Sequence, residues 1–261
     1  MAIRRLKTST IAQRLPRYQK VRGGYDWNLD PDAGFLRIAA PLNNTLGVND
    51  YSASIKGSGI NRSGTPANNV AISAVTSKFY GTSLNMGAKS DDGKVMFGVT
   101  SDLALGSSDF TIEGWWYFTS NTVGYQCLVS HSGDTGDQQN GWILYMESNN
   151  QLTFAATNNG GWPLGVGAGL SPATNQWHHI AVTRQSNNTR MFLNGSQVGS
   201  TTTSVVNISL PQSRELRLGN YQFFPGEEMG FQGFIQDFRL YIGVAKYTTT
   251  FTVPDKIYLG A

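Results

Sequence analysis

The side chains best suited to chemistry are His131, His178 and His179, the isolated Glu113, the pair Glu227 and Glu228, and aromatic rings set in polar loops. His178 and His179 are neighbours in the alternating stretch WHHIAVTR, residues 177–184. Adjacent strand residues face opposite ways, so these two cannot share one metal or one proton-transfer site. His131 has no other His near it in sequence, and Cys127, four residues earlier, makes no zinc-type spacing with it. No Ser/His/Asp or Cys/His signature, phosphate-cradling glycine loop or zinc spacing occurs. The aromatic loops are more informative: Trp162 lies in NNGGWPLG, and Tyr221, Phe223 and Phe224 lie in NYQFFPGEE. Rings in loops stack on sugar faces or anchor protein interfaces, and both uses stay open for these four residues.

The elements that must position them are strands. In FTIEGWWYF, residues 110–118, Phe110, Ile112, Trp116 and Phe118 point one way and Thr111, Glu113, Trp115 and Tyr117 the other. WHHIAVTR and GFIQDFRLY, residues 233–241, alternate in the same manner. Further strands are expected at FLRIAAPL from residue 35, within KFYGTSLNM (78–86), and at 127–131, 141–146, 151–157, RMFLNG and 215–220, with Asn194-Gly195 as a two-residue hairpin turn. At least nine strands without intervening helices predict an all-β, two-sheet antiparallel sandwich with some strands covered on both faces. Trp115, Trp116, Trp142 and Trp177 fall in alternating strands and are expected to pack. No fixed-period repeat is present, which argues against a propeller or solenoid.

The single cysteine, Cys127, cannot form an intramolecular disulfide and reads as a small buried apolar residue. No apolar run approaches the roughly 20 residues of a membrane helix, and no secretory stretch opens the chain, so no membrane partner is expected. Five N-x-Ser/Thr sequons read as chance in so Asn- and Ser-rich a chain.

Charge is segregated. Arg4, Arg5, Lys7, Arg14, Arg17, Lys20 and Arg22 precede the first acid, Asp26, leaving 13 basic against 17 acidic residues in the remainder. Residues 1–24 are too short and polar to bury a core of their own, and Gly23-Gly24 ends them like a hinge. They read as a docking arm, 25–33 as a linker and 34–261 as the domain. A nucleic-acid contact and a mitochondrial presequence compete with docking, although Pro16 interrupts any presequence helix.

KFYGTSLNM, SDFTIEGWWYF, NQWHHIAVTRQSNNTRMFLNGSQV, LRLGN and GFIQDFRLYIGVAKYTTTFTVP, in this order over about residues 34–258, resemble the laminin-G-like, concanavalin A-like jelly-roll family. The closing stretch, Gly243-Val244-Ala245-Lys246-Tyr247 through Phe251 and Pro254, is similar to a variant frequent in bacteriophage virion proteins. The resemblance implies a jelly-roll sandwich. Glucanases of the family use an E-x-D-x-x-E strand, which is absent here, so no catalytic residue and no enzyme activity is expected. Members of the family often bind calcium at the sandwich rim, which makes Asp50, Asp134 and Asp137 candidate ligands, with Asp91 and Asp92 in similar turns. The competing role for these aspartates is capping of turn amides.

The combined reading is a non-enzymatic phage virion structural protein on the virion surface, assembled in the host cytoplasm. A capsid decoration or cement role, anchored by the arm to other virion proteins, stands first. A tail-fibre or tail-tip adhesion protein and a carbohydrate-binding lectin, calcium-dependent or not, stand as alternatives. Calcium is the one cofactor allowed, none is required, and a host surface glycan and a homo-oligomer such as a trimer fit as partners.

Overall fold

The structure, a computed structural model, describes residues 30–98, 101–122, 124–132, 140–158, 161–208, 215–221 and 229–254. The first half of the described chain holds β1 (Leu36–Ala40), β2 (Gly64–Ala67), β3 (Ala71–Ser73), β4 (Ser83–Asn85), β5 (Lys94–Phe97), β6 (Phe110–Phe118) and β7 (Gln126–Ser132). The second holds β8 (Asn140–Met146), β9 (Leu152–Asn158), β10 (Gly161–Gly167), β11 (Trp177–Gln185), β12 (Asn188–Leu193), β13 (Ser196–Thr203), β14 (Leu216–Leu218) and β15 (Gly233–Ile242). The one α-helix among the described residues, α1 (Ser52–Lys56), is too short to cross a membrane.

These strands form two antiparallel sheets. The first runs β13-β12-β11-β6-β15-β4-β3, with β1 also pairing β15; the second runs β10-β9-β8-β7-β14-β5-β2. Their facing sides make the main core. Phe110, Ile112, Trp116 and Phe118 of β6 enter it as their alternation predicts, meeting Trp142, Leu144 and Phe154 of the second sheet. Trp115 and Trp116 are both buried, on opposite faces, as a strand covered on both sides requires.

Two segments cover the outer face of the first sheet. Residues 75–82 seal one half: the Gln236 side-chain oxygen accepts the Lys78 and Phe79 amides at 2.8 Å, and Phe79 packs edge-on to Trp115 with centroids 5.5 Å apart. The closing segment 244–254 straps the other half. Thr111 Oγ1 donates to the Val244 carbonyl at 3.0 Å, Thr183 Oγ1 donates to the Tyr247 carbonyl at 2.7 Å, and Phe251 stacks on Tyr247 and packs against Phe192.

The Asn194-Gly195 turn joins β12 to β13 with φ of 50° and 84°. A Cβ at position 195 would collide with the Phe251 carbonyl, and Phe251 N–H donates 2.9 Å to the Gly195 carbonyl. The glycine therefore serves both the hairpin and the strap.

Midway along β15 the register against β6 slips between Gln236 and Arg239, and Asp237 sits at φ 57°. This bulge marks where β15 changes its second neighbour from β4, paired at Phe234 and Ile235, to β1, paired at Phe238 to Tyr241. Asp237 repays the unusual backbone through its carboxylate, which takes a 2.6 Å ion pair from Arg239 and a 3.1 Å hydrogen bond from Tyr80.

Candidate functional site

Trp162 stands on β10, the free edge of the second sheet, where Pro163 is tolerated because an edge strand has amides to spare. The pairing with β9 slips between Gly161 and Leu164, which turns Trp162 and Pro163 outward while Leu164 and Val166 enter the core. The ring is 48% exposed.

Beside it runs β13, the edge of the first sheet. Gly199 (φ 66°) lets the two backbones close up, since a Cβ there would strike the Gly167 carbonyl. Thr202 Oγ1 then donates to the Gly165 carbonyl at 3.0 Å and Ser204 Oγ to the Pro163 carbonyl at 3.2 Å, stitching the sandwich shut along this side. Past β13 the chain swings away and leaves an open groove of about 650 Å³ lined by Gly161, Trp162, Pro163, Ser204, Val205, Val206 and Asn207. That volume suits a small ligand. Val205 is 82% exposed on the wall facing Trp162.

The groove's far wall is held from behind by Arg184, a buried cation the sequence reading did not single out. Its Nη1 donates to the Val206 carbonyl (3.1 Å), Nη2 to the Gly106 and Ser108 carbonyls (2.6 Å each) and Nε to the Ser108 carbonyl (3.0 Å). The guanidinium lies 5.2 Å from the centroid of the Phe110 ring. Carbonyl dipoles thus replace its water. The only sequence signal was a charged residue on the strand face that carries Ile180 and Val182 into the core.

A second concentration of polar groups lies under the strap. Glu113, 1% exposed, has Lys246 Nζ at 3.1 Å from Oε1, Tyr247 Oη donating at 2.7 Å to Oε2, and His179 Nε2 at 3.3 Å from Oε2. Burial alone would raise its carboxyl, but the Lys246 charge, the His179 hydrogen bond and the Arg239 charge outweigh it and hold the group well below the usual carboxylate range. Burial and the adjacent carboxylate push the Tyr247 hydroxyl far up. Glu113, isolated in sequence, is therefore fully engaged in space. With its oxygens occupied and sealed from solvent, it is a structural charge among the described residues. His178 turns to the other face, as adjacency predicts, and pairs through Nε2 with the Ala173 carbonyl at 2.8 Å.

The remaining sequence candidates separate. Tyr221 is 4% exposed and packs with Cys127, Ile143 and Ala155, so it is a packing residue and not the displayed ring expected from its loop. Among the described residues that line the groove at Trp162, Tyr221 is absent.

Asp50 differs from the expected calcium ligand in having its oxygens already claimed. They accept from the Ala39 amide (2.8 Å), the Ser52 amide (2.7 Å) and hydroxyl (3.0 Å), and Arg62 (3.1 Å), whose guanidinium supplies the positive charge a metal would bring. Asp92 is paired with Lys94 at 3.1 Å. Among the described residues no group of three or more His, Cys, Asp or Glu side chains is arranged to hold a metal. Phe223, Phe224, Asp134, Asp137 and the arm residues Arg4, Arg5, Lys7, Arg14, Arg17, Lys20 and Arg22 lie outside the described residues.

Two twisted antiparallel sheets closed at one side by stitched edges, with an outer face roofed by the chain's own loops, define a lectin-like jelly roll. The chain belongs to the concanavalin A-like lectin/glucanase superfamily, whose family profile matches residues 88–245. No curated protein sequence matches it.

Among solved structures it is similar to botulinum neurotoxin type C in work on that toxin's interaction with two ganglioside molecules (TM-score 0.61, 15% identity, 80% of this chain and 48% of that one). It is also similar to the binding domain of botulinum neurotoxin DC in complex with rat synaptotagmin II (0.59, 17%, 80% and 48%). A third likeness is to domain 4 of an extracellular arabinanase from Geobacillus stearothermophilus in complex with arabinotriose (0.54, 15%, 70% and 84%). The chain spans about half the length of the toxin structures it matches.

Proposed function

We propose that this chain is a non-enzymatic binding module that takes a glycan in the groove between Trp162 and the Ser204–Asn207 wall. The observation that carries this reading is a half-exposed indole on an edge strand, lining one groove with hydroxyl, amide and aliphatic groups. Pyranose rings present an apolar face to such an indole and hydroxyls to such polar neighbours. The names of the structural neighbours, which mention gangliosides and arabinotriose, support the same class of ligand. The absence of catalysis is supported by Glu113 and Asp50, whose carboxylates are buried and committed to protein partners. The reading calls for no cofactor.

The test is a glycan array probed with the full chain and with Trp162→Ala, with and without calcium. Binding that the substitution removes while the thermal transition is kept supports the reading. Binding that ignores the substitution overturns it.

A second reading concerns where the module is displayed. Seven basic residues concentrated before Asp26, against an acidic remainder, favour an arm that docks the domain on a virion surface, capsid decoration first and tail adhesion second. Its test is a pull-down of assembled capsids and tails with full-length protein and with a chain beginning at Gly24. Arm-dependent capture by capsids supports decoration, and capture by tails supports adhesion. Capture by neither defeats the virion role and leaves the groove reading untouched.

A further inference from the structure

Among the described residues the groove lacks charge: its walls are glycine, tryptophan, proline, serine, two valines and asparagine, without one Lys, Arg, Asp or Glu. The cation behind the groove's far wall, Arg184, is 1% exposed and directs its donors to the Ser108, Gly106 and Val206 carbonyls, so it is not presented to a ligand. Beyond residue 22 the chain carries 17 acidic against 13 basic residues, so that part of the chain offers an anion no net attraction. A carboxylated or sulfated sugar entering here would lose hydration and gain no counter-charge.

The aliphatic wall adds a second requirement. Val205, 82% exposed, and Val206, 7% exposed, set hydrocarbon beside the indole, where a sugar with hydroxyls alone would leave it facing polar groups. A methyl substituent on the sugar would instead cover it.

We infer, building on the glycan-binding reading, that the groove between Trp162 and Val205 selects uncharged sugars bearing a methyl group, a 6-deoxyhexose or an N-acetylhexosamine, and rejects acidic ones. Trp162 stacks on the ring and sets affinity for any sugar. Val205 contacts the methyl group and sets the preference. Ser204 and Asn207 supply neutral hydrogen-bonding groups to the ring hydroxyls. A preference for uncharged sugars differs from recognition of an anionic ganglioside headgroup, so it follows from this chain's own residues and not from the structural neighbours.

The experiment is titration of the full chain with matched glycoconjugates ending in fucose, N-acetylglucosamine, glucose or sialic acid, repeated with Val205→Ser and Trp162→Ala. The fucose or N-acetylglucosamine conjugate is expected to bind better than glucose by about fourfold, the worth of one buried methyl group, and sialic acid is expected to bind weakest. Val205→Ser should bring the ratio of fucose or N-acetylglucosamine binding to glucose binding down to about one, whereas Trp162→Ala should weaken all of them by on the order of tenfold or more. Tightest binding to the sialylated conjugate, or a methyl preference that survives Val205→Ser, overturns this inference while Trp162-dependent binding keeps the glycan reading standing. No Trp162-dependent binding to any of the four overturns both.

Discussion

The hydroxyl of Tyr247 donates a 2.7 Å hydrogen bond to Oε2 of Glu113, a residue 134 positions earlier in the chain. With Lys246 on the other carboxylate oxygen, the closing segment is fastened to the centre of β6 by charge as well as by its aromatic rings. Replacing Glu113 by alanine takes from Lys246 its nearest counter-charge, 3.1 Å away, and leaves it the longer pair with Asp30 at 3.6 Å, while Arg239 keeps Asp237 at 2.6 Å. Unfolding in urea should show a loss of about 3–5 kcal/mol, against a smaller loss for Tyr247→Phe, which removes one hydrogen bond and no charge.

The same carboxylate gives stability a sign with pH. Its folded-state pKa is depressed, so its contribution is complete above the unfolded value of about 4.3 and is lost as pH falls toward the folded value. The gap in unfolding free energy between the native sequence and Glu113→Gln should therefore be flat from pH 7 to 5 and shrink below about pH 4. A gap that grows on acidification would contradict the depressed pKa. Asp50, raised chiefly by burial, works in the opposite direction but is common to both proteins and cancels in the difference.

Gly195→Ala should destabilise the hairpin and the strap together, by about 2 kcal/mol or more, because its φ of 84° strains an L-residue and the new methyl meets the Phe251 carbonyl. Gly165→Ala is the control: no atom lies within 4 Å of its Cβ position, and the change should stay within about 0.5 kcal/mol. Thermal denaturation of the pair reads both.

Burial pushes the Cys127 thiol well above its usual range, and the side chain is wholly inaccessible. Maleimide should therefore fail to label the folded protein at pH 8 and should label it fully in urea, in step with the loss of structure.

Display and support at the groove should part cleanly. Trp162→Ala, at a half-exposed ring, should change the unfolding free energy in urea by no more than about 0.5 kcal/mol, whereas Arg184→Lys gives up the planar fork that holds three carbonyls and should lose about 2 kcal/mol.

Much of the fold could be read before it was seen. FTIEGWWYF, WHHIAVTR and GFIQDFRLY fall on β6, β11 and β15 within a residue, because each alternates large apolar side chains over more than two periods. The strands that escaped notice, β2, β3, β5 and β10, are three to seven residues long, and GTPA and GWPLGVG carry Pro or Gly where pattern would need bulk. KFYGTSLNM yields only three residues of strand, since Lys78 to Tyr80 are spent on covering Gln236 and Trp115.

At the candidate site Trp162 was legible as an aromatic among glycines. Its partner wall was not, since Ser204 to Asn207 become its neighbours only through the pairing of two sheet edges. Tyr221 misled for a related reason: a polar loop was taken to mean exposure, but the residue tucks back onto the outer face of β7, β8 and β9. Glu113 appeared isolated because its cations arrive from the chain's closing segment.

The pairing of β1 with β15 has a consequence for how the protein is made. Leu36 waits for Tyr241, so about 200 residues must leave the ribosome before the first strand finds its place in the sheet. At synthesis rates of roughly 5–20 residues per second this is about 10–40 s during which a strand ending in Ile-Ala-Ala has no partner. The domain closes only when β15 emerges.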